Sequence, residues 1–489
     1  MVISRSAPSV YWCVLLCVAA LVGLDAPVAD AGPGRVRLLQ PISSFSPFPA
    51  DGCGVPGARA RDSKGEPSVA VNPRNPSNVI AVWQQDRFVV DGGALSNIVG
   101  VSKNGGRTWR RVEVPGLSRC TGGTDERTSD PSVSIGSDGT AYLATLTFTE
   151  HPDLVGLAGP TSMLVSRSTN GGITWSRPVT VVNANVYDDR ESVTADPRRA
   201  GRAYYVWVRR LGIVGAEGTE YFSRTANGGR TWSAPRQITV LRAGTLPDPS
   251  FIEVLPNGTL VNLYLLANAS PFLPPSVPRT PWDVMVQRST NQGNTWSAPK
   301  RIARIDPPSA PKDPDTGAVV RAYNEISAAV GPHGSIYVAW NVIRSRRSSQ
   351  ILFSKSRNGG RGWSAPRAVA TLHTQAFLPS LAVAGDGTLG VTWDDLRNDK
   401  RGDNQLTTDV WFAHSHNDGT SWRQTHVAGP FNALTAAPTD STGVAGRFLG
   451  DYQGLAGLPH GLAAVFAQGK PRATHGGTDI FFARLDGGG

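Results

Sequence analysis

The sequence predicts an all-β propeller of four-stranded blades. Three observations predict it: one eight-residue turn occurs six times, its copies are spaced almost regularly, and four short strand patterns accompany each copy. The turn reads SKNGGRTW (102–109), STNGGITW (168–175), TANGGRTW (225–232), STNQGNTW (289–296), SRNGGRGW (356–363) and SHNDGTSW (415–422). Successive tryptophans stand 57 to 67 positions apart, a regularity that chance does not produce. Asn and Gly accept the left-handed backbone of tight hairpin turns, while Ser, Thr and Asn side chains bond the nearby backbone. Each Trp opens the next strand and can cover the turn with its ring.

The elements follow in order. Residues just before each turn, such as 163–165 and 351–353, read as the third strand of a unit. Two further strands precede it, at 67–72 and 79–84, 131–135 and 140–146, 326–330 and 335–340, and 379–383 and 388–393. Asp138-Gly139, Asn257-Gly258 and Asp386-Gly387 mark the turns between them. A seventh unit has strands at 451–456, 461–467 and 478–484, and its fourth strand is expected from residues 35–42. Closing the ring in that way leaves no open sheet edge. Seven blades are therefore expected, with a six-bladed ring plus an accessory C-terminal sheet as the alternative.

Residues 1–31 read as a secretory leader, with Arg5, an apolar run over 10–24 and Ala29-Asp30-Ala31 as the cleavage pattern. The apolar run falls short of the roughly 20 residues that span a bilayer, and no later segment is apolar enough to do so. A secreted, monomeric protein with one propeller domain over 32–489 is expected. Removal of the leader takes Cys13 and Cys17 with it. Cys53 and Cys120 then remain, a plausible disulfide in an oxidising compartment, with two unpaired thiols as the alternative. The formal charge is +10, which suits polyanionic glycans or serves solubility. Basic residues are scattered along the chain and no nucleic-acid motif is present, so nucleic acid is not an expected partner.

The turn resembles the Asp-box, or BNR repeat, of the sialidase superfamily, whose form is Ser-x-Asp-x-Gly-x-Thr-Trp. Here Asn replaces the Asp in all six copies. The resemblance implies the propeller fold for nearly the whole of 32–489. It implies a structural role for the turns themselves, which in the family lie away from the active site. Asp-boxes occur in sialidases, in other glycosidases and in non-enzymatic propellers.

In a propeller the innermost strand of each blade starts beside the central channel. The residue just ahead of that strand reads Glu66, Asp130, Glu191, Asp248, Glu325, then Phe377 or Leu378, then Asp451. Arg61, Arg127, Arg190, Arg321 and Arg447 recur close by, and Arg397 follows Asp394-Asp395. Crowded carboxylates raise one another's pKa and suit general acid–base chemistry or Ca²⁺. Arginines could clamp a sugar carboxylate. Equally, such residues can serve as turn caps and ion pairs between blades.

Sialidases carry an Arg-Ile-Pro motif at the first inner strand; here that place reads Glu66-Pro67-Ser68. The resemblance implies Asp86 or Asp91 as the acid/base aspartate and Tyr452 with Glu325 as the nucleophile pair. The leading expectation is a secreted glycoside hydrolase acting on an acidic sugar. A uronate polysaccharide lyase using Tyr with Arg or with His151, His333, His373 or His460 is the second. A non-catalytic propeller binding glycan or protein is the third. No cofactor is expected; Ca²⁺ is the one metal these carboxylates would suit, since zinc spacings and EF-hand loops are missing.

Overall fold

Runs rich in Val, Ile, Tyr and Trp, bounded by Gly, Asn and Asp, fold here into antiparallel strands. The computed structural model describes residues 1–2, 32, 34–90, 92–149, 160–183, 185–211, 217–267, 280–306, 309–322, 325–438 and 446–487. The cleavage pattern of the expected leader, Asp91, His151, Tyr323 and Asn324 lie outside them. Residues from Ala31 onward form one compact unit. Among the described residues there is no α-helix, only the 3-10 turns Arg119–Thr121 and Ala433–Thr435.

The described strands form seven four-stranded meanders and one two-stranded ladder, Ala437–Pro438 with Arg447–Phe448. Meander 1 contains Arg59–Val71, Val79–Phe88, Ala94–Ser102 and Arg110–Glu113. Meander 2 contains Arg127–Ile135, Ala141–Phe148, Thr161–Ser168 and Val179–Asn183. The two join as one sheet through the pair Ala94 and Thr128. Meander 3 is Tyr187–Ala195, Ala203–Leu211, Glu217–Thr225 and Arg236–Gln237; meander 4 is Leu246–Val254, Leu260–Ala267, Trp282–Ser289 and Lys300–Ile305. Meander 5 is Ile326–Val330, Ile336–Ser345, Ser348–Ser356 and Arg367–Leu372; meander 6 is Ala376–Val383, Leu389–Asp395, Thr407–Ser415 and Arg423–Asn432. Meander 7 takes Gly454–Gly457, Leu462–Gly469 and Thr478–Asp486 from the C-terminal end and Arg35–Pro41 from the N-terminal end. Arg35–Pro41 pairs antiparallel with Thr478–Asp486.

The Asn-Gly turns lock neighbouring meanders together. In the first copy Ser102 Oγ accepts from Gly106 N at 2.9 Å, and Asn104 Oδ1 accepts from Thr108 N at 2.9 Å. Asn104 Nδ2 donates to Thr108 Oγ1 at 2.8 Å, a bond that an aspartate could not donate. The arrangement recurs around Asn170, Asn227, Asn291 and Asn417, and in part around Asn358, where Gly362 offers no hydroxyl. In four of the six turns the glycine three residues before the tryptophan lies against an aromatic ring of the preceding meander; Gly172 faces Ile80 and Val101 instead, and Gly360 the stem of Arg288. A Cβ on Gly293 would meet the Phe222 ring at 2.3 Å, and one on Gly419 would meet Phe353 at 2.3 Å. On Gly106 it would meet Phe482 of meander 7 at 2.0 Å, so meander 7 stands to meander 1 as meander 3 stands to meander 4. Between the sheets lies the core, with Trp83, Trp207, Trp340 and Trp393 fully buried on second strands.

Cys53 and Cys120 are joined by a disulfide that bridges 67 positions of sequence. Among the described residues no helix is long and apolar enough to cross a membrane.

Candidate functional site at the inner strand ends

Five of the seven inner strands share a β-bulge near their start. Two residues oppose one on the second strand at Glu66-Pro67, Asp130-Pro131, Arg190-Glu191, Asp248-Pro249 and Leu378-Pro379. Such a bulge bends the strand and re-aims its side chains. Glu66, Asp130, Arg190 and Leu378 hold φ of 51°, 46°, 59° and 52°. That left-handed backbone costs a non-glycine residue on the order of 1 kcal/mol or more.

This register corrects one expectation. Ser192 is the counterpart of Ser68, Ser132 and Ser250, so Arg190 and not Glu191 takes the place of the recurring carboxylate in meander 3. Glu191 stands where the other bulges carry proline. Aligning the sequence on the recurring serine, rather than on the acids, would have shown this.

Arg190 is the centre of the cluster. Its Nε lies 2.6 Å from Asp248 Oδ1, its Nη1 lies 3.0 Å from Asp451 Oδ2, and its Nη2 donates to both oxygens of Glu325 at 2.8 Å. Meander 3 is thereby tied to the inner ends of meanders 4, 5 and 7. Arg210 pairs with Asp248 at 2.7 Å and Asp189 at 2.8 Å, and Arg321 pairs with Asp451 at 2.9 Å. Arg87 donates to Gln84 Oε1 at 2.8 Å and stacks 3.5 Å from the centre of the Phe448 ring. Arg87, Arg210 and Gln84 were not expected from the sequence. Their only sequence signal is a charged or amide residue inside an otherwise apolar strand.

Burial sets the electrostatics. Glu66 is pushed well above the usual carboxylate range by burial, then by Asp130 and Asp451. Asp130, whose Oδ1 accepts from Ser129 Oγ at 2.7 Å, is raised to about 6 by burial and by Asp189. Glu325 is raised to about 8, burial outweighing the pull of Arg190. Asp248 goes the other way: Arg190 and Arg210 overcome its burial and hold it below its ordinary value. Glu191 is 6% exposed, and among the described residues neither of its oxygens has a hydrogen-bond partner. Burial, then Asp130, raises its pKa well above the ordinary value. Tyr205 is fully buried, its hydroxyl likewise has no partner among the described residues, and burial raises its pKa well above the ordinary value.

Other expected site residues stand elsewhere or do other work. Asp86 is buried and accepts from Asp62 N at 2.7 Å and Gln85 Nε2 at 2.9 Å, so it braces a loop instead of facing solvent. Tyr452 donates to Pro131 O at 3.1 Å, and the charges that act on it most are those of Glu66, Asp130 and Glu191, opposed by Arg190, with Glu325 not among them. Burial and those acids raise its pKa, the opposite of what an activated tyrosine nucleophile needs. Arg61 donates to the carbonyls of Phe48 and Pro49, and Arg127 to those of Val90 and Gly92. Arg397 pairs with Asp395 at 2.6 Å and lies 3.5 Å from the Trp411 ring centre, while Arg447 donates to Ala436 O. His333 and His373 are exposed, and His460 faces Asp386 at 3.3 Å. Among the described residues no group of three or more His, Cys, Asp or Glu side chains is arranged to hold a metal ion.

No family model and no curated protein matches the chain. Among solved structures it is similar to a protein of unknown function from Dyadobacter fermentans, at 13% identity and a TM-score of 0.48, covering 93% of this chain and 99% of that one. It is similar to an ulvan lyase of polysaccharide lyase family PL25 at 11% identity and 0.49, covering 87% and 94%. An α-L-arabinanase from Penicillium chrysogenum gives 15% and 0.46, covering 74% and 94%. These likenesses are distant and assign no chemistry to the chain.

Proposed function

We propose that the chain is a seven-bladed propeller of Asp-box type that acts on a carbohydrate at its hub as a glycoside hydrolase. Glu191 is the proton donor and Asp451 the carboxylate that takes the proton of the attacking water. The observation that supports this most is Glu191: a buried carboxyl whose pKa burial raises, that stands where the other bulges carry proline and that has no partner for either oxygen among the described residues. Glycosidic cleavage needs such an acid and a second carboxylate to accept the proton of water. Asp451 makes both its ion pairs through Oδ2, so Oδ1 carries neither. Glu191 protonates the leaving glycosidic oxygen, and water replaces that oxygen at the anomeric carbon.

The sugar is neutral rather than acidic. Arg190, Arg210 and Arg321, the guanidiniums within the cluster that carry ion pairs, are engaged by carboxylates of the protein itself. A charged substrate would have to break buried pairs to use them, which is unfavourable. The test is release of reducing sugar from a panel of neutral and acidic oligosaccharides. Release from a neutral member is expected, with Glu191→Gln lowering kcat at least about 100-fold and leaving KM little changed. No release from any member overturns the hydrolase, and release from acidic members alone overturns the neutral substrate.

A further inference from the structure

The basic residues that are scattered along the chain gather in space. The six Asn-Gly turns, each taken with one flanking residue on either side, hold eleven Lys or Arg and a single carboxylate, Asp418. In each antiparallel meander these turns sit at the strand ends opposite the bulges, so the excess positive charge lies on the face away from the hub.

On meanders 3 and 4, and at Arg361 of meander 5, that charge is left uncompensated. Arg202 donates to Gln292 Oε1, and Arg224 to Gln292 O and, at 3.1 Å, to Asn294 Oδ1. Arg236 donates to Asn294 O at 2.6 Å and Lys300 to Arg361 O at 2.7 Å. Arg288 completes the stripe beside Arg361, whose like charge, after burial, lowers its pKa. These bonds go to carbonyl and amide oxygens, and among the described residues none of the six is paired with a carboxylate. They fix the direction of each cation without cancelling it. The sixth turn shows the contrast. Asp418, at the position of Gln292, accepts from Lys355 at 2.8 Å and from Arg357, and so neutralises its own basic neighbours.

We propose that this stripe around Gln292 is a binding surface for an acidic polysaccharide, independent of the hub. Guanidiniums anchored by carbonyls present preformed forks to carboxylate or sulfate groups. No exposed large hydrophobic side chain of the described residues lies in these turns, so there is no wedge for a lipid surface. Trp296 packs on Phe222 and Trp232 on Tyr205, while Trp363 packs against the core, so these turns present no open aromatic platform for nucleobases.

The decisive variant is Gln292→Asp. It places a carboxylate where Asp418 already sits at a nearly equal φ, 61° against 58°, so the fold accommodates it. The full chain is titrated with polygalacturonate and heparin, beside dextran, double-stranded DNA and phosphatidylglycerol vesicles. Binding to the two acidic polysaccharides is expected, weakening at least about tenfold from low to physiological salt. Gln292→Asp and, separately, Lys300→Ala with Arg361→Ala should each weaken it about threefold or more. Both variants should keep the wild-type melting temperature and any hub activity, whereas Glu191→Gln should leave binding unchanged. Equal binding by the wild type and Gln292→Asp overturns the proposal. So does salt-insensitive binding, or tighter binding of DNA or vesicles than of the polysaccharides.

Discussion

Arg190 shows how much one residue decides. A single guanidinium with a side chain 7% exposed meets three carboxylates from three other meanders. Buried ion pairs add little over an apolar packing, but removing one partner strands the others, at a cost of about 3–5 kcal/mol. Arg190→Met is therefore expected to lower unfolding free energy by that amount, read from urea denaturation. Arg190→Lys, a point charge without the fork, should recover only part of it. Motif reading singled out Arg190 and the acids around it, but it assigned the arginine to substrate. Which anion a guanidinium meets depends on side chains more than a hundred positions away, as with Glu325.

At the scale of elements, the Asn-Gly turn and the bulge carry the design. Gly293, at φ 84° against the Phe222 ring, has no room for a methyl group. Gly293→Ala should cost about 1–3 kcal/mol, seen as a lower melting temperature, while Gly317→Ala, with nothing near its Cβ, costs only its backbone strain. A second prediction concerns the seam between meanders 3 and 4. Fully buried Glu220 accepts from Asn262 Nδ2 at 2.7 Å and from Ser250, and burial raises its pKa to about 7. A carboxyl raised on folding contributes stability that is whole below the ordinary Glu pKa and lost as pH rises through about 7. The wild type should thus lose on the order of 3 kcal/mol between acid and mildly alkaline pH through this group. Glu220→Gln should remove that slope from a pH series of chemical denaturations.

Over the whole molecule, Cys53–Cys120 closes a loop of 67 positions that spans the whole of meander 1. Chain entropy alone makes such a crosslink worth about 4 kcal/mol. Cys53→Ser is expected to lower the melting temperature accordingly, and a reductant should lower it for the wild type but not for the variant. The same long-range logic brings Arg35–Pro41 beside Thr478–Asp486, where the strand covers an edge that would otherwise template association.

Six turns and their spacing were enough to determine the strand order and the four-stranded units, because hairpin chemistry is local and repeats. The position of the carboxylate ring was legible too, from acids recurring ahead of inner strands. Tertiary structure alone decided that Arg190 enters that ring in place of an acid, since a bulge's register rests on hydrogen bonds to the next strand. It alone decided that Tyr452 sits with Glu66 rather than Glu325, and that scattered arginines share one face. Local pattern fixes what each segment becomes; pairing, burial and charge compensation arise between segments, where the chain order is silent.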